Sequence, residues 1–223
     1  MKYYDKLVQE IIRANFHFKL WRRLEDCKVE YIHELRQANA FWVFTMQAHF
    51  DAALMHLFKV LDTHPDALSI RKFLNFVDSN SRIFSTMAFE QRQTAKGTDK
   101  ELCRYQVARH CPICHQHIKE DEAKLNRLET PINNLAEWRD KVYAHIDRTA
   151  LLKGTGLDIT HPVPITDMDN IIVTTKEILN RYSQAFDASR WVVEMDCEEA
   201  EIKAIMEAVR FKRQELRARR STV

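Results

Sequence analysis

An apolar helix is predicted for residues 40–61, which read AFWVFTMQAHFDAALMHLFKVL. Its apolar side chains fall on two stripes at helical spacing. The first stripe comprises Trp42, Met46, Ala53, Leu57 and Leu61, and the second comprises Phe41, Phe44, Ala48 and Met55. Because a helix that is apolar on most of its sides belongs in a core, we expect this helix to be central. We expect His49 and His56 to be hydrogen-bonded in the core or at its rim rather than to bind metal.

Glycine and proline, the residues that interrupt helices, are scarce on both sides of this segment. The chain of 223 residues has three glycines, where average usage would give roughly fifteen. Neither glycine nor proline occurs in 1–64 or 165–223, so both ends are predicted as long helices. The first helix carries an apolar stripe of Leu7, Ile11, Ala14, Phe18 and Trp21, and the last carries Ile202, Ile205, Val209 and Leu216.

Local capping residues predict the shorter helices between these ends. Ser69 is placed to cap a helix that ends near Ser79, and Thr98 with Glu101 resembles a capping box. Thr130 before Pro131 predicts a helix from about 131 to 149. The fold class is therefore all-α. We predict a helical bundle formed by a single domain over 1–223, with a helical or loop insertion around 95–128.

Composition excludes several classes of protein. Apolar residues make up 45% of the chain, enough for a core without disulfides. With 34 basic residues against 32 acidic ones, the net charge by itself gives no argument for any particular partner. No apolar run approaches the roughly 18 residues of a membrane span, and Met1–Lys6 lacks the apolar core of a signal peptide. We expect a cytoplasmic protein with no membrane partner.

The densest group of functional side chains lies between Trp138 and Asp147, which read WRDKVYAHID. On a helix, Arg139 and His145 lie on opposite flanks of the buried stripe, about 120° apart. A guanidinium can clamp a phosphate and stabilise developing negative charge, and a histidine can transfer a proton at neutral pH. Spacing alone also fits an arginine and a histidine that make rim salt bridges with Asp140 or Asp147.

The motif resembles the signature of the HEPN superfamily, which is an arginine, a polar residue, four further residues and a histidine. Arg139, Asp140 and His145 match its three specified places. The stretch from Ala40 to Phe58, closing on Leu61-Asp62, is similar to the second helix of the abortive-infection AbiU-type branch. The resemblance covers 1–93 and 125–190. It departs from the family in one respect, because aspartate stands second where asparagine or histidine is common.

This resemblance implies a function as well as a fold. HEPN proteins are helical bundles that pair so that two motifs face one cleft. Many are metal-independent endoribonucleases that act as toxins or antiviral effectors. By the resemblance, Arg139 and His145 are catalytic, Asp140 orients or polarises them, and Lys141 or Tyr143 contacts RNA. The implied partners are RNA, a second copy of the chain, and a cognate antitoxin or regulatory protein.

Five cysteines without an export signal argue against disulfides. Cys27 and Cys197 are predicted as small core residues. Cys111-Pro-Ile-Cys114-His formally matches a c-type haem site or a redox dithiol, but zinc fits the spacing better. Ligands that could complete a structural zinc site are Cys103, His110, His115 and His117. The pair also resembles a zinc hook, in which two chains each supply one half-site, and a pair of unligated thiols is the remaining alternative.

Six basic residues between Arg210 and Arg220, against Glu215 alone, predict either a stripe that attracts RNA or a solvated helix end.

The leading hypothesis is a metal-independent endoribonuclease of the HEPN type, with zinc at most structural. The alternatives are an inactive HEPN-like bundle that binds a partner protein or RNA, and a nucleotide-binding module in which Arg139 and Lys141 hold phosphate.

Overall fold

A computed structural model describes residues 2–139, 163–191 and 198–221, and within these ranges it contains helices and no strand. The all-α prediction is confirmed. The α-helices are α1 (Lys2–Leu35), α2 (Asn39–Leu61), α3 (Ile70–Ser79), α4 (Thr86–Ala95), α5 (Lys100–Ala108), α6 (His115–Arg127), α7 (Glu129–Trp138), α8 (Ile165–Asp187) and α9 (Glu198–Ser221). Short 3-10 helices span Arg36–Ala38 and Ser81–Phe84. In the described ranges, no helix has both the length and the hydropathy needed to cross a membrane.

The chain divides into two compact units. Unit 1 consists of residues 1–11 and 56–192, and unit 2 consists of 12–55 and 193–223. The predicted insertion, 95–128, lies within unit 1, where α6 packs against α3 and α8. The prediction of a single domain over 1–223 stays a prediction.

The core of unit 1 forms around Tyr182 of α8. Its ring lies 5.2 Å from that of Phe73 and 5.8 Å from that of Phe84, both edge-on. Helix α3 contributes Ile70, Phe73, Leu74 and Val77, whose i, i+3, i+4, i+7 spacing places all four on its buried face. Ser69 precedes this helix in an extended conformation, so the predicted start and end of α3 are confirmed.

The core of unit 2 joins the end of α1, part of α2 and the start of α9. Its buried residues are Leu24, Cys27, Tyr31, Leu35, Met46, Ile202 and Met206. Cys27 is therefore a small core residue, as predicted. The expectation that 40–61 is buried on most sides is wrong for its first turns, where Phe41 and Phe44 are 61% and 71% exposed. Burial there is limited to the side of the helix that the described neighbours cover.

Two predicted helix starts are displaced along the chain. Asp99, not Thr98, caps α5, because its Oδ1 accepts hydrogen bonds from the backbone N–H groups of Glu101 and Leu102. Helix α7 begins at Glu129, so Pro131 lies inside its first turn rather than at its first position. Proline is tolerated there because the first N–H groups of a helix have no intrahelical partner.

The basic residues of α9 are largely neutralised within unit 2. Arg210, Lys212, Arg213 and Arg219 contact the carboxylates of Glu207, Glu215, Glu34 and Glu215 respectively, at 2.5–2.9 Å. The Arg210 guanidinium also lies 4.4 Å from the centroid of the Tyr31 ring. Arg213 and Arg210 thus bind α9 to α1, whereas the other pairs lie within α9. The count of basic residues therefore overstates the charge that α9 presents to solvent.

Candidate active site

Arg139 stands at the carboxyl end of α7, directly after Trp138. Leu135, one turn earlier, is fully buried and anchors the end of the helix. The Arg139 side chain is 31% exposed, and its Nη1 donates a hydrogen bond to Asp62 Oδ1 at 3.0 Å. The guanidinium is therefore held in a defined direction while part of it still faces solvent.

Asp62 directly follows α2, and a second hydrogen bond holds its carboxylate in place. The same Oδ1 accepts a hydrogen bond from the His64 backbone N–H at 3.0 Å. Burial acts to raise the pKa of Asp62, but the His64 N–H and the Arg139 guanidinium outweigh burial and hold this pKa below its usual value. Asp62 is consequently an anion at neutral pH and forms a charge-assisted pair with Arg139.

A buried carboxylate ties α1 to the part of α2 that leads to Asp62. Glu10 of α1 is 4% exposed, and its oxygens lie 3.0 Å from Lys6 Nζ, 2.7 Å from His56 Nδ1 and 3.4 Å from Lys59 Nζ. Burial acts to raise the pKa of Glu10, but the hydrogen bonds from His56 and Lys6 and the Lys59 charge lower it to about 2. His56 is thus hydrogen-bonded at the rim of the core, as predicted.

His49 is also hydrogen-bonded, as predicted, and both it and its partner lie in unit 2. Its Nδ1 is 2.9 Å from His17 Nδ1. Burial lowers the pKa of His49, which favours its neutral form.

The remaining motif residues lie outside the described ranges. Asp140, Lys141, Tyr143 and His145 follow Arg139 directly, and all four fall between 139 and 163. Of the predicted catalytic and RNA-contacting set, the structure therefore places Arg139.

A model of the HEPN_AbiU2 family, described as AbiU2, matches residues 2–210 of the chain. The chain belongs to the AbiU2 family of HEPN proteins. No curated protein and no solved structure matches it. Membership places this AbiU2-family chain among HEPN-type abortive-infection proteins and confirms the resemblance drawn from its motif.

Asp62 is the site residue that sequence reasoning missed in this AbiU2-family chain. The stretch that resembles the family's second helix ends on Leu61-Asp62, but the resemblance implies no role for Asp62. It lies 77 residues from Arg139 in the sequence, and no local spacing relates the two. The sequence feature that points to Asp62 is its position as a carboxylate between the end of an apolar helix and the turn at Pro65.

The predicted zinc ligands are only partly brought together. Cys111 and Cys114 are exposed, while Cys103 is buried in α5. Cys114 Sγ lies 3.5 Å from His117 Nδ1. Among the described residues, no group of three or more His, Cys, Asp or Glu side chains is placed to hold a metal ion. The contact between Cys114 and His117 belongs to a capping box at the start of α6, and the described residues of one chain do not form a complete tetrahedron.

Two histidines that the sequence offers as further zinc ligands have other partners in the structure. His110 Nε2 lies 2.9 Å from the Ala185 carbonyl oxygen, its Nδ1 lies 3.2 Å from Thr86 Oγ1, and its ring stacks on Phe89. His115 Nδ1 lies 2.7 Å from Asp78 Oδ1. Since both ring nitrogens of His110 are engaged, its role is to hold the start of the Cys111–Cys114 segment against α8.

Structural zinc stays a prediction, and we take the two-chain hook as its form, in which Cys111 and Cys114 of each chain supply one half-site. Protein purified without a histidine tag is expected to contain about one zinc per two chains by elemental analysis. Cys114→Ser should remove the metal and lower the melting temperature, because metal binding to a structural site contributes to folding. The matched control is Cys27→Ser, which should leave the zinc content unchanged. Zinc far below this level, with both exposed thiols titrating freely, would identify unligated cysteines.

Proposed function

We propose that this chain is a metal-independent endoribonuclease that acts in abortive infection. In the proposed reaction, His145 accepts the proton of an RNA 2′-hydroxyl as that oxygen attacks the adjacent phosphorus. Arg139 stabilises the negative charge that grows on the phosphoryl oxygens. The bond to the 5′-oxygen then breaks, which leaves a 2′,3′-cyclic phosphate and a 5′-hydroxyl. Asp140 orients this pair, and Lys141 or Tyr143 contacts the RNA.

The observation that carries the proposal is the Arg139–Asp62 ion pair in a chain of this family. A catalytic arginine must be aimed before the substrate arrives, since side-chain freedom lost on binding weakens stabilisation of the transition state. Asp62, itself held by the His64 N–H, supplies that aim. The partial exposure of Arg139 leaves it accessible to a phosphate.

A homodimer is part of the proposal. One motif supplies a single histidine, whereas the reaction needs a base for the 2′-hydroxyl and an acid for the 5′-oxygen. A facing copy would supply the second histidine. Unit 2 also exposes large apolar side chains, among them Phe41, Phe44 and Phe211, which a second copy would cover. Light scattering should therefore give about twice the chain mass of 26.4 kDa, and a monomer that cleaves RNA at full rate would contradict the shared site.

The direct test is incubation of purified protein with total RNA in EDTA. We expect cleavage, with fragments that end in a 2′,3′-cyclic phosphate and resist ligation until that phosphate is removed. Expression in bacteria should be toxic, and a cognate antitoxin or regulatory protein should suppress the toxicity. A requirement for added magnesium would overturn the mechanism. Intact RNA under all conditions would instead favour an inactive HEPN bundle that binds a protein, a nucleotide or RNA.

A further inference from the structure

A cleft of about 750 Å³ lies in unit 1 between α5 and α8, with the Cys111–Cys114 segment at its edge. Its volume falls in the range of roughly 300–1,000 Å³ that is usual for ligand sites. Phe89, Ile113 and Ala185 supply apolar surface, whereas most of the other lining side chains are polar or charged. Arg139 and Asp62, which form the described part of the candidate active site, do not line it.

Some charged side chains of the cleft have a partner of opposite charge, and others do not. Glu120 and Arg181 lie 3.6 Å apart, and Arg181 also contacts the buried Asp121 at 3.1 Å. Glu177 lies 3.7 Å from Lys124. Both acidic side chains of the lining therefore have a basic partner.

Arg109 and Arg190 differ from these paired groups. Both line the cleft and are exposed, and neither has a carboxylate within 4.0 Å among the residues that the structure describes. The four basic side chains of α9 described above, by contrast, all have acidic partners. The two arginines therefore present positive charge that an anionic ligand would neutralise.

An aromatic side chain stands beside one of these arginines. Tyr105 is 56% exposed, and the Arg109 guanidinium lies 4.1 Å from the centroid of its ring. An arginine stacked on a tyrosine offers a flat surface and a positive charge together, which suits a nucleobase with its phosphate. An inorganic anion has no aromatic face that could stack on the exposed ring of Tyr105.

Hydrogen bonds fix the backbone on both sides of the other arginine, Arg190. Asn180 Nδ2 donates to the Trp191 carbonyl oxygen at 3.1 Å, and the Trp191 N–H donates to Asn180 Oδ1 at 2.6 Å. Ala188 adopts the left-handed conformation that ends α8, and its N–H donates to the Gln184 carbonyl oxygen. The turn that carries Arg190 is thus fixed at both ends, which reduces the entropy lost when a ligand binds.

The cleft also contains groups that can read a base edge. Gln106 and Gln184 line it, and an amide can donate and accept hydrogen bonds at once. Gln106 Oε1 is buried and has no hydrogen-bond partner among the described residues. A buried acceptor of this kind costs free energy until it is satisfied, and the exocyclic amino group of a base would satisfy it.

From this arrangement we infer that the cleft between α5 and α8 binds single-stranded RNA. Arg109 and Arg190 contact phosphates, Tyr105 stacks on a base, and Gln106 accepts a hydrogen bond from a base. The inference rests on the proposed function, since it adds to the Arg139–His145 motif a second place where the substrate is held. Single-stranded RNA is favoured over a duplex, because stacking on Tyr105 needs an unpaired base.

The test measures binding in the full chain carrying His145→Ala, which keeps the RNA intact. The probe is a fluorescein-labelled 12-nucleotide RNA of mixed sequence, followed by anisotropy at several salt concentrations. Arg109→Ala with Arg190→Ala should raise Kd about 10-fold or more and flatten the dependence of log Kd on log salt by about 1.4, at about 0.7 per phosphate contact on a single strand. Tyr105→Ala should raise Kd about 10-fold.

The matched control is Arg82→Ala with Arg127→Ala, which removes the same charge from exposed positions of unit 1 outside the cleft. This variant should change Kd less than 2-fold. Thermal melts of all variants should coincide with that of the parent, since the substituted side chains are exposed. An equal effect of the control, or no effect of the cleft variants, would overturn the inference.

Two further outcomes separate this inference from the proposed function. If the wild type cleaves RNA in EDTA and the cleft variants bind RNA as the parent does, the nuclease proposal is supported and the RNA-binding cleft is overturned. If binding depends on the cleft but the wild type cleaves no RNA, the RNA-binding cleft is supported and the nuclease proposal is overturned. Displacement of the probe by inorganic triphosphate, with no effect of Tyr105→Ala, would identify a phosphate site and also overturn the RNA assignment.

Discussion

Replacing Arg139 or His145 with alanine is expected to reduce RNA cleavage by about 10³-fold, because each removes one of the two groups that the reaction needs. Arg139→Lys should recover only part of the loss, since an ammonium keeps the charge without the planar set of donors. Cleavage rates at saturating RNA measure the effect, and helicity should be unchanged. The matched controls are Arg82→Ala and His33→Ala, both at exposed positions, which should retain full activity.

Asp62 provides a finer test of the same site. Asp62→Asn removes the charge that aims Arg139 while keeping the size of the side chain. As a positioning residue it should lower kcat by about 10-fold and leave KM nearly unchanged, because its effect is on orientation in the transition state. A fully active His145→Ala would overturn the mechanism. A fully active Asp62→Asn would show that catalysis does not depend on the orientation of Arg139 by Asp62.

The second large effect is expected at Glu10, where Glu10→Gln should lower the free energy of unfolding at neutral pH by about 3 kcal/mol. Burial opposes ionisation of Glu10, but His56, Lys6 and Lys59 reverse this and bring its pKa from 4.5 to about 2. A carboxyl whose pKa is lower in the folded protein stabilises it fully above the unfolded pKa. That contribution is then lost as the pH falls from about 4.5 to about 2.

Urea denaturation between pH 7 and pH 3 measures this prediction. The difference between wild type and Glu10→Gln should be full near pH 7 and should shrink steadily below about pH 4.5. The matched control is Glu122→Gln, which removes a partner of Lys119 at the same 3.0 Å but at a more exposed position. A solvent-exposed pair contributes about 0.5 kcal/mol or less. Equal destabilisation by the two variants would contradict a special role for the buried carboxylate.

Much of the candidate site depends on contacts that sequence spacing does not encode. Residues 139 and 145 are close in the chain, so a short sequence motif includes both. Asp62 reaches Arg139 only because the end of α2 comes to lie beside the end of α7. The cleft inferred to bind RNA likewise combines α5 and α8, whose sequences carry no shared motif. Cys103 and the exposed cysteines were grouped by proximity in the chain, yet α5 buries the first and leaves the others in solvent.

The sequence by itself determined the all-α class, because scarce glycine and an apolar repeat of helical period act locally, within a few turns of chain. The same local physics predicted the bounds of α3. Only the tertiary structure decided that Phe41 and Phe44 face solvent and that Arg139 pairs with Asp62. Periodicity states that a helix has an apolar face, whereas burial and ion pairing depend on which other element comes to cover that face.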